Sequence, residues 1–249
     1  MGFYVGPKIG SSIINPETPI LWLNAGAGVN GGTAVDGNAV YEWADQSGHG
    51  NDFIQTTASA QPIYYASVIG SRPGVAFVSD LLSHTGNLFN TIGASFFTIY
   101  VVIELLEITD AGTVNQRKTL MRFGPSGWSG TPPGSWNIGL EGAISTNGAG
   151  YQKDINYTYG NYGQTILSPP DLNPHYISIL SHGISYIDGV QVNAGTGGAL
   201  LISGGQNYIG GWNNSKGQFN LSEMIIYDKK HTDAQRLGIE KYLKDKYTL

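Results

Sequence analysis

No cysteine occurs among the 249 residues of this chain, which excludes disulfides, thiolate metal ligands and thiol nucleophiles together. The compartment stays open, because an extracellular domain of this length needs no disulfide staple. Charge is scarce as well: Asp, Glu, Lys and Arg make up 12% of the chain, against roughly 25% in an ordinary soluble domain. The 13 basic residues face 18 acidic ones and are scattered, apart from a small C-terminal group. With a net charge of −5 there is no basic stripe to follow a phosphate backbone, so nucleic acid is not an expected partner. Long apolar runs are missing too. The longest, Phe96 to Leu106, carries Glu104 and spans about half of what a membrane-crossing helix requires. It reads as a buried strand, and no membrane insertion is expected. The opening residues Met1–Lys8 show neither a basic region nor a sustained apolar stretch. Either export does not use a secretory signal, or a signal preceded Met1. Gly6 stands where a myristoylation motif wants Ser or Thr, so no lipid anchor is expected.

What the chain does hold is glycine and aromatic side chains. There are 36 glycines, where average usage would give about 17. With 15 Tyr, 8 Phe and 5 Trp in a chain that is 41% hydrophobic, enough apolar area exists to offset chain entropy, and disorder is excluded. The shortage of charged helix formers excludes a coiled coil or long helical bundle. The length suits one large all-β unit.

Short apolar segments separated by turn residues recur along the chain: 20–23, 62–69, 75–78, 96–106, 119–123, 136–140, 176–180, 184–192, 199–202, 208–212 and 219–227. Many are rich in Ile, Val, Tyr and Phe, the signature of an all-β protein. Turns are expected at Asp36-Gly37, Asn147-Gly148 and Asp188-Gly189. The last, between Ile184–Ile187 and Val190–Val192, is the strongest hairpin signal. Only the C-terminus reads as helix. Thr232 followed by Gln235 forms a capping box, Leu237, Ile239, Tyr242 and Leu243 form an apolar stripe, and Glu240 with Lys244 forms an i,i+4 pair. The expected division is an extended arm over residues 1–18 and one domain over 19–249, with its helix at 233–246. No fixed-period repeat is visible. Residues 124–175 stand apart as a long loop region, aromatic and poor in charge.

Two segments carry a family resemblance. Ile20-Leu21-Trp22-Leu23-Asn24-Ala25 is followed by Val40–Asp52, which contains the turn Trp43-Ala44-Asp45-Gln46-Ser47-Gly48-His49-Gly50-Asn51. This pair, with Ile209-Gly210-Gly211 and Leu221–Asp228 near the end, resembles the laminin-G-like, concanavalin A-like jelly-roll domains. The resemblance implies a β-sandwich of two curved antiparallel sheets, a fold shared by lectins, glycan-binding modules, polysaccharide hydrolases and lyases, and virus and phage surface proteins. In the turn itself, two readings stand. Trp43 plugs the core, Asp45 accepts turn amides, and Gly48 and Gly50 take positive φ. Alternatively Asp45, Asn51 and Asp52 are oxygen ligands for Ca2+. The first is preferred, and no metal or cofactor is assigned.

Catalytic patterns are sparse. Gly26-Ala27-Gly28-Val29-Asn30-Gly31 fits G-x-G-x-x-G after a strand, yet a turn sequence follows where a dinucleotide site needs a helix N-terminus. Glycoside hydrolysis needs two carboxylates flanking the bond, met locally by an i,i+2 pair on a strand. Glu104 and Glu107 are three apart and Glu223 and Asp228 five apart, so that pattern is absent. The five histidines never fall in H-x-H or H-x-x-x-H, and no G-x-S-x-G occurs. The aromatic region offers better chemistry. Sugar rings present apolar C–H faces beside hydroxyls, and Trp128, Trp136, Tyr151, Tyr157, Tyr159 and Tyr162 lie among Asn, Ser and Gly. The same rings could instead pack a loop against the sandwich or meet a neighbouring subunit. Trp212-Asn213-Asn214 is a weaker second cluster. Asn156, Asn213 and Asn220 begin glycosylation sequons.

The expectation from sequence is therefore a non-enzymatic surface protein of a virion, a phage head-decoration or tail-associated component, with a lectin-like fold. Its partners would be virion subunits or further copies of itself, and cell-surface glycans; its location would be the virion or the extracellular space. The alternatives are a secreted bacterial carbohydrate-binding module and a polysaccharide-active enzyme with a non-local carboxylate pair.

Overall fold

The computed structural model describes residues 17–86, 88, 96–107, 118–123, 136–143, 152–159, 162–167, 171–194, 205–211 and 217–249. Residues 1–16 of the expected arm, the expected strand at 199–202 and the turn Asn147-Gly148 lie outside them. Among these residues there are sixteen strands and one α-helix. The strands are β1 (Leu21–Asn24), β2 (Glu42–Trp43), β3 (Phe53–Ile54), β4 (Ile63–Ile69), β5 (Arg72–Val78), β6 (Leu82–Gly86), β7 (Thr98–Leu105) and β8 (Lys118–Phe123). They continue as β9 (Trp136–Ala143), β10 (Gln152–Tyr159), β11 (Tyr162–Leu167), β12 (Pro174–Leu180), β13 (Ile184–Ile187), β14 (Val190–Ala194), β15 (Gly205–Ile209) and β16 (Gln218–Tyr227). The helix α1 spans Asp233–Tyr247.

The strands form two eight-stranded sheets whose described pairings are all antiparallel. The first runs β14-β13-β12-β7-β16-β5-β4, with β1 also on β16; the second runs β11-β10-β9-β8-β15-β6-β3-β2. This is the all-β sandwich with one C-terminal helix that the segment pattern predicts. Strand β16 is the axis of the first sheet. One of its sides pairs with β7, and the other is shared by β5 at Gln218–Leu221 and β1 at Glu223–Ile226. A bulge at Ser222 separates the two partners and flips the alternation, so Leu221 and Met224 both reach the inter-sheet core.

That core draws Leu21, Ile99, Val101, Ile103, Ile177, Phe219 and Met224 from the first sheet and Trp43, Phe53, Met121, Phe123 and Ile209 from the second. A second apolar layer lies on the outer face of the first sheet, where Tyr100, Val102, Tyr176 and Ile225 meet Ile239, Leu243 and Tyr247 of α1. Strand β7 is thus covered on both faces, which is why its sequence is a continuous apolar run instead of an alternation. Each fully buried aliphatic side chain contributes about 1.5–3 kcal/mol.

The helix begins as its sequence dictates. The Thr232 side chain accepts from the Gln235 N–H while the Gln235 side chain caps Thr232 in return. Its inward face differs from expectation in one respect. Glu240 is buried and takes Arg236 Nη1 at 2.7 Å and Ser178 Oγ at 2.7 Å, so its partners lie toward the sheet. At the far end Gly70, at φ 56°, lies so close under the Tyr247 carbonyl that a Cβ there would collide with it. The region 124–175, read from composition as a long loop, contains the strands β9, β10 and β11.

Candidate functional site

The turn between β2 and β3 is a closed set of hydrogen bonds. Asp45 Oδ1 accepts from the backbone N–H of Trp22 at 2.9 Å and of Ser47 at 2.8 Å. Its Oδ2 accepts from Ser47 Oγ at 2.6 Å and Asn51 N–H at 3.1 Å. Asp52 Oδ1 accepts the N–H of Asp45, and Asn51 Nδ2 donates to the Ile20 carbonyl. Gly48 and Gly50 take φ of 90° and 73°, and Trp43 is fully buried. The carboxylate of Asp45 accepts from N–H and O–H donors on both oxygens and ties the turn to β1. Ser47 sits between Asp45 and His49, whose Nδ1 is 3.2 Å from Ser47 Oγ. A nucleophile needs the base beside it and the acid beyond the base. The order here is wrong for that chemistry. The glycine-rich loop before it ends in a single 3-10 turn at Asn30–Gly32, whose Asn30 side chain caps the N–H groups of Tyr41 and Glu42.

Of the aromatic candidates, Trp128 and Tyr151 lie outside the described residues. The backbone register places the other four. Trp136 on β9 pairs with Tyr159 on β10, and Tyr159 pairs in turn with Tyr162 on β11. On the other side Trp136 pairs with Phe123 of β8. A single cross-strand row, Phe123–Trp136–Tyr159–Tyr162, therefore runs from the buried core to the edge strand β11. Tyr157, two residues from Tyr159, stands opposite Ile138 and, through it, in line with Met121. The adjacent row of the same sheet is polar: Ser83, Tyr208, Arg122, Asn137 and Thr158 occupy successive register positions. Arg122 is buried there, and burial draws its pKa below the ordinary arginine value, opposed by Tyr208. Strand rhythm could have located this part of the sheet. Lys153, Ile155, Tyr157 and Tyr159 alternate with Gln152, Asp154, Asn156 and Thr158, a period of two that the glycine and asparagine content obscures. Trp212-Asn213-Asn214 lies outside the described residues. Asn220 is buried with its Nδ2 on Glu104 Oε2 at 2.7 Å, which closes that sequon to modification.

Ionisable groups that sequence patterns did not mark gather instead between α1 and the first sheet. Glu223, fully buried, takes Trp22 Nε1 and Lys246 Nζ at 2.7 Å and the hydroxyls of Tyr242 and Tyr247 at 2.9 Å. Burial, reinforced by that carboxylate, pushes the Tyr247 hydroxyl far above its usual pKa. Tyr100 OH meets His231 Nδ1 at 2.8 Å, and burial pulls His231 down to about 4, with Glu17 opposing. These groups are sealed among apolar side chains, and they hold the helix on the sheet. Among the described residues, no cluster of three or more His, Asp or Glu is arranged to hold a metal ion.

No protein-family model and no curated protein sequence matches this chain. Solved structures do resemble it. The binding domain of Paraclostridial Mosquitocidal Protein 1 is 14% identical with a TM-score of 0.55, over 91% of this chain and 52% of that one. This chain is an all-β sandwich. A GH54 α-L-arabinofuranosidase, soaked with 4-nitrophenyl α-L-arabinofuranoside, is 16% identical with a TM-score of 0.53, over 82% of this chain and 50% of that one. Trypanosoma rangeli sialidase with 2,3-difluorosialic acid is 13% identical with a TM-score of 0.52, over 90% of this chain and 33% of that one. The sandwich thus spans between a third and about half of the structures it resembles. At such identities the likeness is one of fold.

Proposed function

We propose that this chain is a carbohydrate-binding module of lectin-like fold, which holds sugars by stacking and does not cleave them. The observation that carries the reading is the cross-strand row Trp136–Tyr159–Tyr162, which sets three aromatic positions on adjacent strands and ends at the sheet edge. Neighbouring strands lie about 4.8 Å apart, so such a row offers a continuous apolar strip of the kind that the C–H faces of pyranose rings cover. Two of the neighbouring structures are named as a sialidase and an α-L-arabinofuranosidase and one as the binding domain of a mosquitocidal protein; none of the three is named as a virion component. The carbohydrate half of the expectation is therefore the half carried forward. The concanavalin A-like assignment rests on the turn at 43–52 and the closing strand at 221–228. Binding without cleavage is preferred because the best-formed carboxylates, Asp45, Glu223 and Glu240, are taken up by structural donors.

Affinity electrophoresis in gels containing plant, bacterial and animal polysaccharides tests the reading, with Tyr162→Ala as the informative variant because β11 is an edge strand. The native chain should be retarded by at least one polysaccharide and the variant should migrate freely while keeping its melting temperature. Free migration of the native chain in every gel, or equal retardation of the variant, would overturn it.

A further inference from the structure

His175, at the start of β12 and nearly buried, lies between two carboxylates that come from different parts of the chain. Its Nδ1 is 2.7 Å from Asp188 Oδ2, in the turn joining β13 to β14. Its Nε2 is 3.0 Å from Asp171 Oδ1, four residues upstream. Both aspartates are close to half exposed, at 45% for Asp171 and 43% for Asp188, and a carboxylate oxygen only accepts. A neutral imidazole has one N–H and would turn a lone pair toward one of the two. An imidazolium has two and satisfies both. The arrangement thus selects the protonated ring on donor counting alone.

Among the described residues, few other charges act on that ring. Across β7 it faces Ile103; Glu104, the next residue, gives its Oε2 to Asn220. On the opposite face of β12, Arg236 and Glu240 are bonded to each other beneath α1. The hydrogen bond to Asp188 raises the His175 pKa above the ordinary value, burial opposes it, and Asp171 adds to the rise. Slight burial pushes Asp171 up, but the Asn173 N–H and His175 bring it below its usual value.

We propose that this carboxylate–imidazolium–carboxylate clamp is a pH-sensitive latch that opens on the Asp171 side when the ring loses a proton. The proton leaves Nε2 for solvent and the one on Nδ1 stays. Asp188 is the better held partner: its contact is shorter, its Oδ1 also accepts the Tyr176 N–H at 3.1 Å, and its own N–H donates to the Tyr176 carbonyl at 3.0 Å. Among the described residues, Asp171 keeps only its own loop, through the Asn173 N–H, once the ring stops donating. Opening frees residues 171–173, the last of the segment that leads from β11 into β12. The latch does not depend on sugar binding.

Long-range 1H–15N NMR of the histidine rings reads the protonation of each nitrogen directly, and backbone order parameters of Leu172 and Asn173 read the loop. The native protein should show both His175 nitrogens protonated on the acid side of a titration midpoint that lies above about 6.5. The order parameters at Leu172 and Asn173 should fall across that midpoint. In Asp171→Asn the midpoint should drop by about one pH unit, and the pH-dependent step in the loop should vanish while Tyr176 stays ordered. A midpoint below about 6.5, an unchanged midpoint in Asp171→Asn, or a loop step that persists in that variant would each overturn the latch.

Discussion

Replacing Glu223 with Gln should loosen the C-terminal helix more than any other single isosteric change in the chain. The carboxylate is fully buried and accepts four donors, from Trp22 Nε1, Lys246 Nζ, Tyr242 OH and Tyr247 OH. A glutamine keeps the volume, removes the charge, and puts an NH2 group among donors that then have nothing to bond. A buried donor left without an acceptor costs about 1–3 kcal/mol, and breaking one side of a buried ion pair costs about 3–5 kcal/mol. These overlap, since the same oxygens serve both, and Lys246 keeps some access to water at 20% exposure. A loss of about 4 kcal/mol is expected, or roughly 8–16 °C in melting temperature for a domain of this size. Urea denaturation followed by far-ultraviolet circular dichroism measures it, and Tyr247→Phe should cost only about 1 kcal/mol. In the double variant the two effects should fall short of additive, because the acceptor that Tyr247 needs is already gone. If Glu223→Gln unfolds within 1 kcal/mol of the native chain, the carboxylate is not what fixes the helix.

His231 should set the acid limb of stability. Its folded pKa of about 4 lies below the unfolded value of about 6.5, so its contribution is complete above 6.5 and is lost as pH falls toward 4. The difference is worth about 3 kcal/mol. Denaturation midpoints at pH 7 and pH 4.5 should separate far less in His231→Gln than in the native chain, and equal separation would refute the assignment. His175 works in the opposite sense: its raised pKa gives stability that is present below 6.5 and fades as pH rises through the folded value. Asp45→Ala should cost about 2–3 kcal/mol by releasing three backbone N–H groups and the Ser47 hydroxyl. The native melting temperature should be the same in EDTA as in millimolar Ca2+; a fall in EDTA matching that of the variant would make Asp45 a calcium ligand.

Much of the fold was legible because its signals are local. The Asp188-Gly189 turn takes φ of 50° and 81°, the hairpin forms between Ile184–Ile187 and Val190–Ala194, and the capping box at Thr232 starts the helix. Strands β10 and β11 were hidden for a physical reason. Turn-forming Asn and Gly are frequent within and around them, so composition outweighed the alternation that the paired backbone uses. The bulge at Ser222 is invisible in sequence for a different reason: it arises where β16 changes partner from β5 to β1.

By itself the sequence determined that the chain is all-β and where its tightest turns fall. Each of these follows from residues a few positions apart, or from composition summed over the whole. The tertiary structure alone decided what the isolated charges do. Glu223 lies 201 residues from Trp22, and Asp188 lies 13 from His175 across a strand. No spacing rule reaches such pairs. Their roles are created when sheets and helix close over them, because a carboxylate taken out of water must find donors wherever the fold brings them.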